Sequence, residues 1–252
     1  MIFTRVKTTD EISAMRQSGK ILATVLERLK NEISEGMSTK DLAEIAKNEL
    51  KSTGGQPTFL GYFGFPDVLC VSVNDEVVHG IPRASNIIKN GDVVSLDFGV
   101  TYKSMITDAA ITVIVGNNQN KQHAKLVNET YKSLLAGISV VSDGVKVGDI
   151  GFAIEEVLNR SKYGIVRDLV GHGVGHELHE DPNIPNYGSQ HRGPQLRSGM
   201  TIAIEPMATL GDYKVKTDAD DWTMRTADGS IAAHFEHTVL ITDNGSEILT
   251  KL

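Results

Sequence analysis

The sequence predicts an α+β fold in which two helix pairs cover a curved, largely antiparallel sheet. Two observations carry this expectation. The order of elements, helices and then strands, occurs twice along the chain. Landmarks also recur at one separation. Asp97 closes the run Gly91-Asp92-Val93-Val94-Ser95-Leu96-Asp97, and Glu205 closes Gly199-Met200-Thr201-Ile202-Ala203-Ile204-Glu205. The two acids stand 108 residues apart (205 less 97). The same separation relates Glu35-Gly36-Met37 to Asp143-Gly144-Val145, and Asp41-Leu42 to Asp149-Ile150. Such a fixed period is the mark of an internal repeat. The 252 residues are therefore read as a single domain of two pseudo-symmetric halves, about 1–118 and 119–252.

In the first half, Thr8 and Glu11 have the spacing of a capping box. Ile12, Met15, Ile21, Leu22, Val25, Leu26 and Leu29 follow at helical spacing, and Gly36 ends the helix. Ser38 with Asp41 opens a second helix, carrying Leu42, Ile45, Ala46 and Leu50. Thr53-Gly54-Gly55-Gln56-Pro57 breaks it, because glycine and proline oppose a helix interior. Phe59 to Pro66 reads as a loop rich in glycine and aromatics. Cys70 to Val73, Val93 to Phe98 and Asp108 to Val115 read as strands. In the second half, helices are expected from about Lys121 to Val141 and from Gly148 to Ser161. Strands are expected near Val166 to Val170, Thr201 to Glu205 and His234 to Ile241. The polar stretch from Lys214 to Ser230 reads as a loop carrying Trp222.

Composition excludes several function classes. Net charge is −7 and no run of Lys or Arg suggests a groove for nucleic acid, so no nucleic-acid substrate is expected. Cys70 is the one cysteine, which rules out an intrachain disulfide and suits a reducing compartment. Nowhere do about 18 apolar residues run together, so no membrane span is expected. The first ten residues contain no apolar stretch of signal-peptide length. A cytoplasmic location follows as the expectation.

Five residues suit a hard cation: Asp97, Asp108, His172, Glu205 and Glu236. Four carboxylates and an imidazole favour Mn, Fe(II), Co or Zn over a thiolate-type structural site. The acids interrupt otherwise apolar strands, where an unpaired carboxylate is costly to bury, so each wants a cation. A hairpin turning near Tyr102-Lys103 would set Asp97 opposite Asp108. On the last strand Glu236 shares a face with His234 and Thr238. The densest motif is Gly171-His172-Gly173-Val174-Gly175-His176-Glu177-Leu178-His179-Glu180-Asp181-Pro182. Its glycines would let backbone approach a ligand or metal. Its His176-Glu177-Leu178-His179 is one residue too short for the two-histidine zinc helix. His79, in Val77-Val78-His79-Gly80-Ile81-Pro82, reads alone as a loop histidine.

Taken together, seven segments resemble type I methionine aminopeptidases of the short form, which lack an N-terminal zinc-binding extension. They are Phe59 to Pro66, Asn74 to Pro82, Gly91 to Asp97, Gly171 to Gly175, His179 to Pro182, Ile204-Glu205-Pro206 and Phe235-Glu236-His237-Thr238. The resemblance covers nearly the whole chain, in order. It implies a pita-bread fold and a single catalytic domain. It implies two divalent metal ions, with Asp97 on one, His172 and Glu205 on the other, and Asp108 and Glu236 bridging. It implies that His79 and His179 contact the substrate and the developing oxyanion, and that Glu205 also carries a proton. Phe59, Tyr62, Phe65, Cys70, Leu178 and Trp222 would line a pocket for a methionine side chain.

The implied activity is removal of N-terminal methionine from nascent proteins when the second residue is small. The implied partners are the N-termini of nascent polypeptides, with transient ribosome association, for a monomeric enzyme. Three positions depart from the family: Leu178 stands where Phe is usual, His234 where Gln is usual, and His176 where Arg is common. Two other readings compete. An X-Pro peptidase of the same fold usually carries a long extra N-terminal domain, for which a first ligand at Asp97 leaves no room. A non-catalytic peptide-binding protein would have lost ligands, and all five are present.

Overall fold

The structure is a computed structural model that describes residues 3–117 and 120–252. The expected boundary between the halves, at residues 118 and 119, lies outside the described residues. The chain runs α1 (Thr9–Glu32), α2 (Thr39–Leu50), β1 (Gln56–Pro57), β2 (Cys70–Val73), β3 (Glu76–Val78), β4 (Val93–Tyr102) and β5 (Met105–Ile114). It continues through α3 (Lys121–Ser139), α4 (Val147–Arg160), β6 (Gly164–Ile165), β7 (Gly171–Gly173), β8 (Glu180–Ile184), β9 (Thr201–Ile204) and β10 (Met207–Thr209). The last strands are β11 (Val215–Thr217), β12 (Met224–Thr226), β13 (Ala232–His234), β14 (Glu236–Thr242) and β15 (Gly245–Ile248).

The main sheet has the order β1-β4-β5-β14-β9-β7-β8, with β2 also on β4 and β15 on β14, and its pairings are antiparallel. Both first-half helices start as their sequences dictate. Thr8 and Glu11, and Ser38 and Asp41, form reciprocal capping boxes that satisfy otherwise orphaned backbone donors. Leu22, Val25, Leu26 and Leu29 of α1 and Leu42 and Leu50 of α2 pack on Val94, Leu96, Phe98 and Val100 of β4. Leu126, Leu134, Ile150 and Ile154 of α3 and α4 pack on Ile202, Ile204 and Val239. The helix pairs thus cover one face of one sheet, the pita-bread arrangement. Side chains alternate along a strand. Asp97, one residue from Leu96 and Phe98, and Glu205, one residue from Ile204, are therefore turned away from the helices, toward the opposite face.

Four expectations need correction. The β4–β5 hairpin turns through Lys103 and Ser104, both with positive φ, and pairs Tyr102 with Met105. Asp97 therefore lies opposite Ala110, and Asp108 opposite Gly99. A two-residue slip preserves the face, so the two acids remain diagonal neighbours on one side of the sheet. Residues 166–170 form no strand, and the pairing falls on Gly164–Ile165 and Gly171–Gly173 instead. The last strand breaks at Phe235, where the chain leaves its pairing with β10 and joins β9 and β5. The stretch from 214 to 230 contains the β11–β12 hairpin, which is added to β3. Arg225 draws it there by bonding Asp75 at 2.9 Å and Glu76 at 2.7 Å, and it braces the hairpin itself through Asp218 at 2.7 Å.

A glycine controls how the C-terminal segment docks on α1. A Cβ at Gly19 would lie 2.1 Å from the carbonyl oxygen of Leu249. Gly19→Ala would gain up to about 1 kcal/mol of helix propensity, but the opposing atom is backbone and cannot rotate away. Overpacking of this kind costs about 1–3 kcal/mol. Gly19→Ala is therefore expected to be net destabilising, seen as a lower urea midpoint at unchanged slope.

Candidate metal centre and substrate pocket

The thirteen site residues named from sequence all line one cavity of about 200 Å³, and Phe63 completes its wall. Asp97 enters from β4, Asp108 from β5, His172 from β7, Glu205 from the end of β9 and Glu236 from the start of β14. Adjacent strands of one sheet thus deliver five ligand-type groups to one face. A roomier groove of about 710 Å³ between α1 and α3, lined in part by Leu26, Tyr131 and Phe235, gathers no such set.

Asp108, His172 and Glu236 each offer a donor atom within 4.8 Å of the others, and so do Glu205, His234 and Glu236. Among the described residues these are the two such groups. Asp97 belongs to neither and joins the cluster through Asp108, with which it shares a hydrogen bond. Oδ1 of Asp97, Oδ1 of Asp108, Oε1 of Glu236 and Nε2 of His234 are buried without a hydrogen-bond partner. Orphaned donor atoms converging at this spacing fit divalent cations, because a cation satisfies several lone pairs at once.

The electrostatics agree. Burial first, then the mutual repulsion of the acids, raises Asp97, Glu205 and Glu236 well above the usual carboxylate range. Burial pushes Asp108 up to about 7, against hydrogen bonds from the Ala109 N–H and Asp97 that lower it. Burial, with nearby His179 second, takes His172 down to about 3. Nδ1 of His172 lies 2.9 Å from the Gly173 carbonyl oxygen. A carbonyl only accepts, so Nδ1 carries the proton and Nε2 presents its lone pair, 3.4 Å from Oε1 of Glu205.

The histidines outside the cluster sit at the cavity wall. The His179 ring meets His172 edge-on at 4.4 Å, and its Nδ1 lies 2.8 Å from the Tyr62 hydroxyl. His79 follows β3 with φ of +59°, and its ring faces Trp222 at 6.4 Å. Trp222 itself stands edge-on to Phe65 at 5.1 Å. Its backbone N–H is held by Asp220, which Arg83 anchors at 2.7 Å. Phe59, Phe65, Cys70 and Leu178 form the buried apolar wall.

A Cβ at Gly171 would lie 2.4 Å from the carbonyl oxygen of Ala203, so the missing side chain lets β7 approach β9 closely. His176 does not reach the pocket. Its Nε2 lies 2.7 Å from Oε1 of Glu11, and its backbone N–H donates to Glu180. Glu180 also takes the buried Lys7 ammonium at 3.0 Å. Sequence reading missed this strap, and nothing in the spacing of Lys7 and Glu180 announces it. It also missed Phe63, whose place at the pocket rim depends on the 3₁₀ turn at Tyr62–Gly64.

Burial, and after it His179, lowers His79 from 6.5 to about 4. Between those values the unfolded chain binds a proton at His79 that the folded chain refuses. Stability from this group is therefore full above pH 6.5 and is lost as pH falls toward 4. His79→Asn, a residue that tolerates positive φ, is expected to flatten that decline in urea denaturation of metal-free protein. Parallel pH profiles for the two proteins would refute it.

The description of metallopeptidase family M24 matches residues 13–243. A methionine aminopeptidase of Clostridium acetobutylicum is 45% identical over 245 residues, 97% of this chain and 98% of that one. Methionine aminopeptidase 1 of Bacillus subtilis is 45% identical over 246 residues, 98% of each chain. The crystal structure of a methionine aminopeptidase from Thermotoga maritima superposes with a TM-score of 0.97 at 44% identity, covering 99% of this chain and 100% of that one.

Proposed function

The chain belongs to metallopeptidase family M24, and on that premise we propose that it removes the N-terminal methionine of polypeptides whose second residue is small. One observation carries the reading: a small apolar cavity opens onto a buried cluster of carboxylates and imidazoles. At about 200 Å³ the cavity has room for one side chain, below the roughly 300–1,000 Å³ of drug-sized sites. An unbranched, polarisable thioether suits a wall of aromatic rings, a thiol and a leucine.

Asp97, Asp108, His172, Glu205 and Glu236 would hold two divalent cations of Mn, Fe(II), Co or Zn type. Bound there, such cations would supply an activated water and polarise the scissile carbonyl. The protein's own groups do the rest. His79 and His179 are both kept neutral by burial. With Tyr62 donating to Nδ1, His179 keeps an N–H at Nε2 to donate to the substrate carbonyl oxygen. Glu205, ionised as a ligand, takes a proton at a carboxylate oxygen and returns it to the departing amine. Phe59, Tyr62, Phe65, Cys70, Leu178 and Trp222 hold the methionine side chain and exclude water.

We read the chain as one catalytic domain of two related halves. The succession of helix pair and strands in each, and the 108-residue separation, support this. The substrate is then the N-terminus of a nascent chain, met in the cytoplasm by transient association with the ribosome. Among the described residues no helix is long and apolar enough to cross a membrane.

Peptide competition tests the reading. Met-Ala-X is expected to be cleaved efficiently and Met-Ile-X poorly, because a β-branched residue beside the scissile bond cannot be relieved by a close-packed wall. An X-Pro dipeptide is expected to survive. Equal cleavage of the two methionyl peptides would refute the small-residue rule, and preferred X-Pro cleavage would refute the activity.

A further inference from the structure

We propose that His234 is a further metal ligand, binding through Nε2 the cation that Glu205 and Glu236 hold. The inference rests on the metal-site reading above and adds a donor outside the five-residue set. His234 is 1% exposed, and its Nε2 has no hydrogen-bond partner. That atom lies 3.6 Å from Oε2 of Glu205 and 4.0 Å from Oε2 of Glu236. Both separations are too long for a hydrogen bond. Both are right for donors sharing a cation, which at bond lengths of ~2.0–2.2 Å lie no more than about 4.3 Å apart.

The chain also fixes the residue. Its backbone N–H is 3.0 Å from Oγ1 of Thr112, and its carbonyl accepts that hydroxyl at 2.6 Å. The break at Phe235 leaves His234 and Glu236 two residues apart at the mouth of β14, both beside Glu205. Glu205 then lies between two imidazoles, with Oε1 toward His172 and Oε2 toward His234. A buried imidazole with an orphaned nitrogen is expensive unless something takes the lone pair. A cation does so. An additional nitrogen donor also moves preference away from Mn(II) and toward Co(II), Zn(II) and Fe(II). An amide at this position, as the resembling family usually carries, would supply only a weak oxygen donor.

Proton NMR of the Co(II)-loaded full chain reads the ligand count directly. Each cobalt-bound histidine gives one strongly shifted N–H signal that disappears in D₂O. Native protein titrated from one to two equivalents is expected to show two such signals, from His172 and His234, and His234→Gln only one. Calorimetric titration should show the first Co(II) bound about tenfold or more weakly by His234→Gln, with a smaller change for Mn(II). The native count needs no variant, so poor folding of the substitution cannot hide the answer. A single exchangeable signal in native protein overturns the proposal and leaves the metallopeptidase reading intact. Failure to bind cobalt at all overturns both.

Discussion

Dialysed against a chelator, the protein is expected to lose all hydrolysis of Met-Ala-X, and to recover it with Mn(II), Fe(II) or Co(II). The effect should be all-or-none because the metal-free site cannot present an ionised nucleophile or a polarising centre. Its acids lie on adjacent strands, out of water, and burial holds them toward the neutral form. A cation inverts that preference and must displace protons to enter. Titration of metal into stripped protein in weak buffer near pH 7 should therefore acidify the solution, and activity should rise with the same stoichiometry. Asp108→Ala removes the acid common to the Asp97 pair and the His172 group. It should bind less metal and stay inactive at added metal that restores the native protein. Full turnover by protein shown to be metal-free would end the hypothesis.

Loss of either histidine at the cavity wall should be nearly as severe, by another route. His79→Ala or His179→Ala is expected to lower kcat by roughly 10²–10³-fold, the scale of one lost donor to a developing oxyanion. Metal content should stay normal, because neither residue belongs to the groups of converging donors. Tyr62→Phe provides a graded control. It keeps the ring against His179 but removes the hydroxyl that fixes Nδ1, so a smaller loss of kcat is expected. Measurement of kcat beside elemental analysis separates the cases. A missing metal equivalent in either alanine variant would make that histidine a ligand.

The parts of the fold that local chemistry dictates were legible in the sequence. Capping boxes at Thr8 and Ser38, apolar periodicity in α1 and α2, and β-branched runs before Asp97 and Glu205 are all short-range signals. They placed the helices to within a few residues. What failed depended on distant partners. The Lys103-Ser104 turn moved the hairpin register by two residues, although the sequence has no Asn-Gly or Gly-rich signature there. The β11–β12 hairpin is polar because most of it is exposed or half-buried, and its attachment depends on distant partners, β3 in the sheet and Asp75 and Glu76 at Arg225. The five ligand candidates stand out as acids interrupting apolar strands and an imidazole in a glycine-rich run, whereas the pocket wall and the roles of His79 and His179 are legible only because their motifs resemble a known family. Taken alone, Cys70 and Trp222 would read as packing, His79 as a loop histidine and Phe63 as nothing at all. Which strand faces which cannot be read from a single segment, and the cluster exists only where five segments meet.

The ligands that converge in the cavity are drawn from residues 97 to 236, so they are far apart until the chain has folded. A bound cation consequently ties the first half of the chain to its last long strand, and the unfolded chain offers no equivalent site. Metal at about 100 times its dissociation constant would add roughly 2.7 kcal/mol to stability. The supply of the ion thus governs how long the protein survives as well as how fast it works. In a cell deprived of that ion, the open chain is left to proteases, and refilling the pool afterwards restores turnover only as fast as new protein is made.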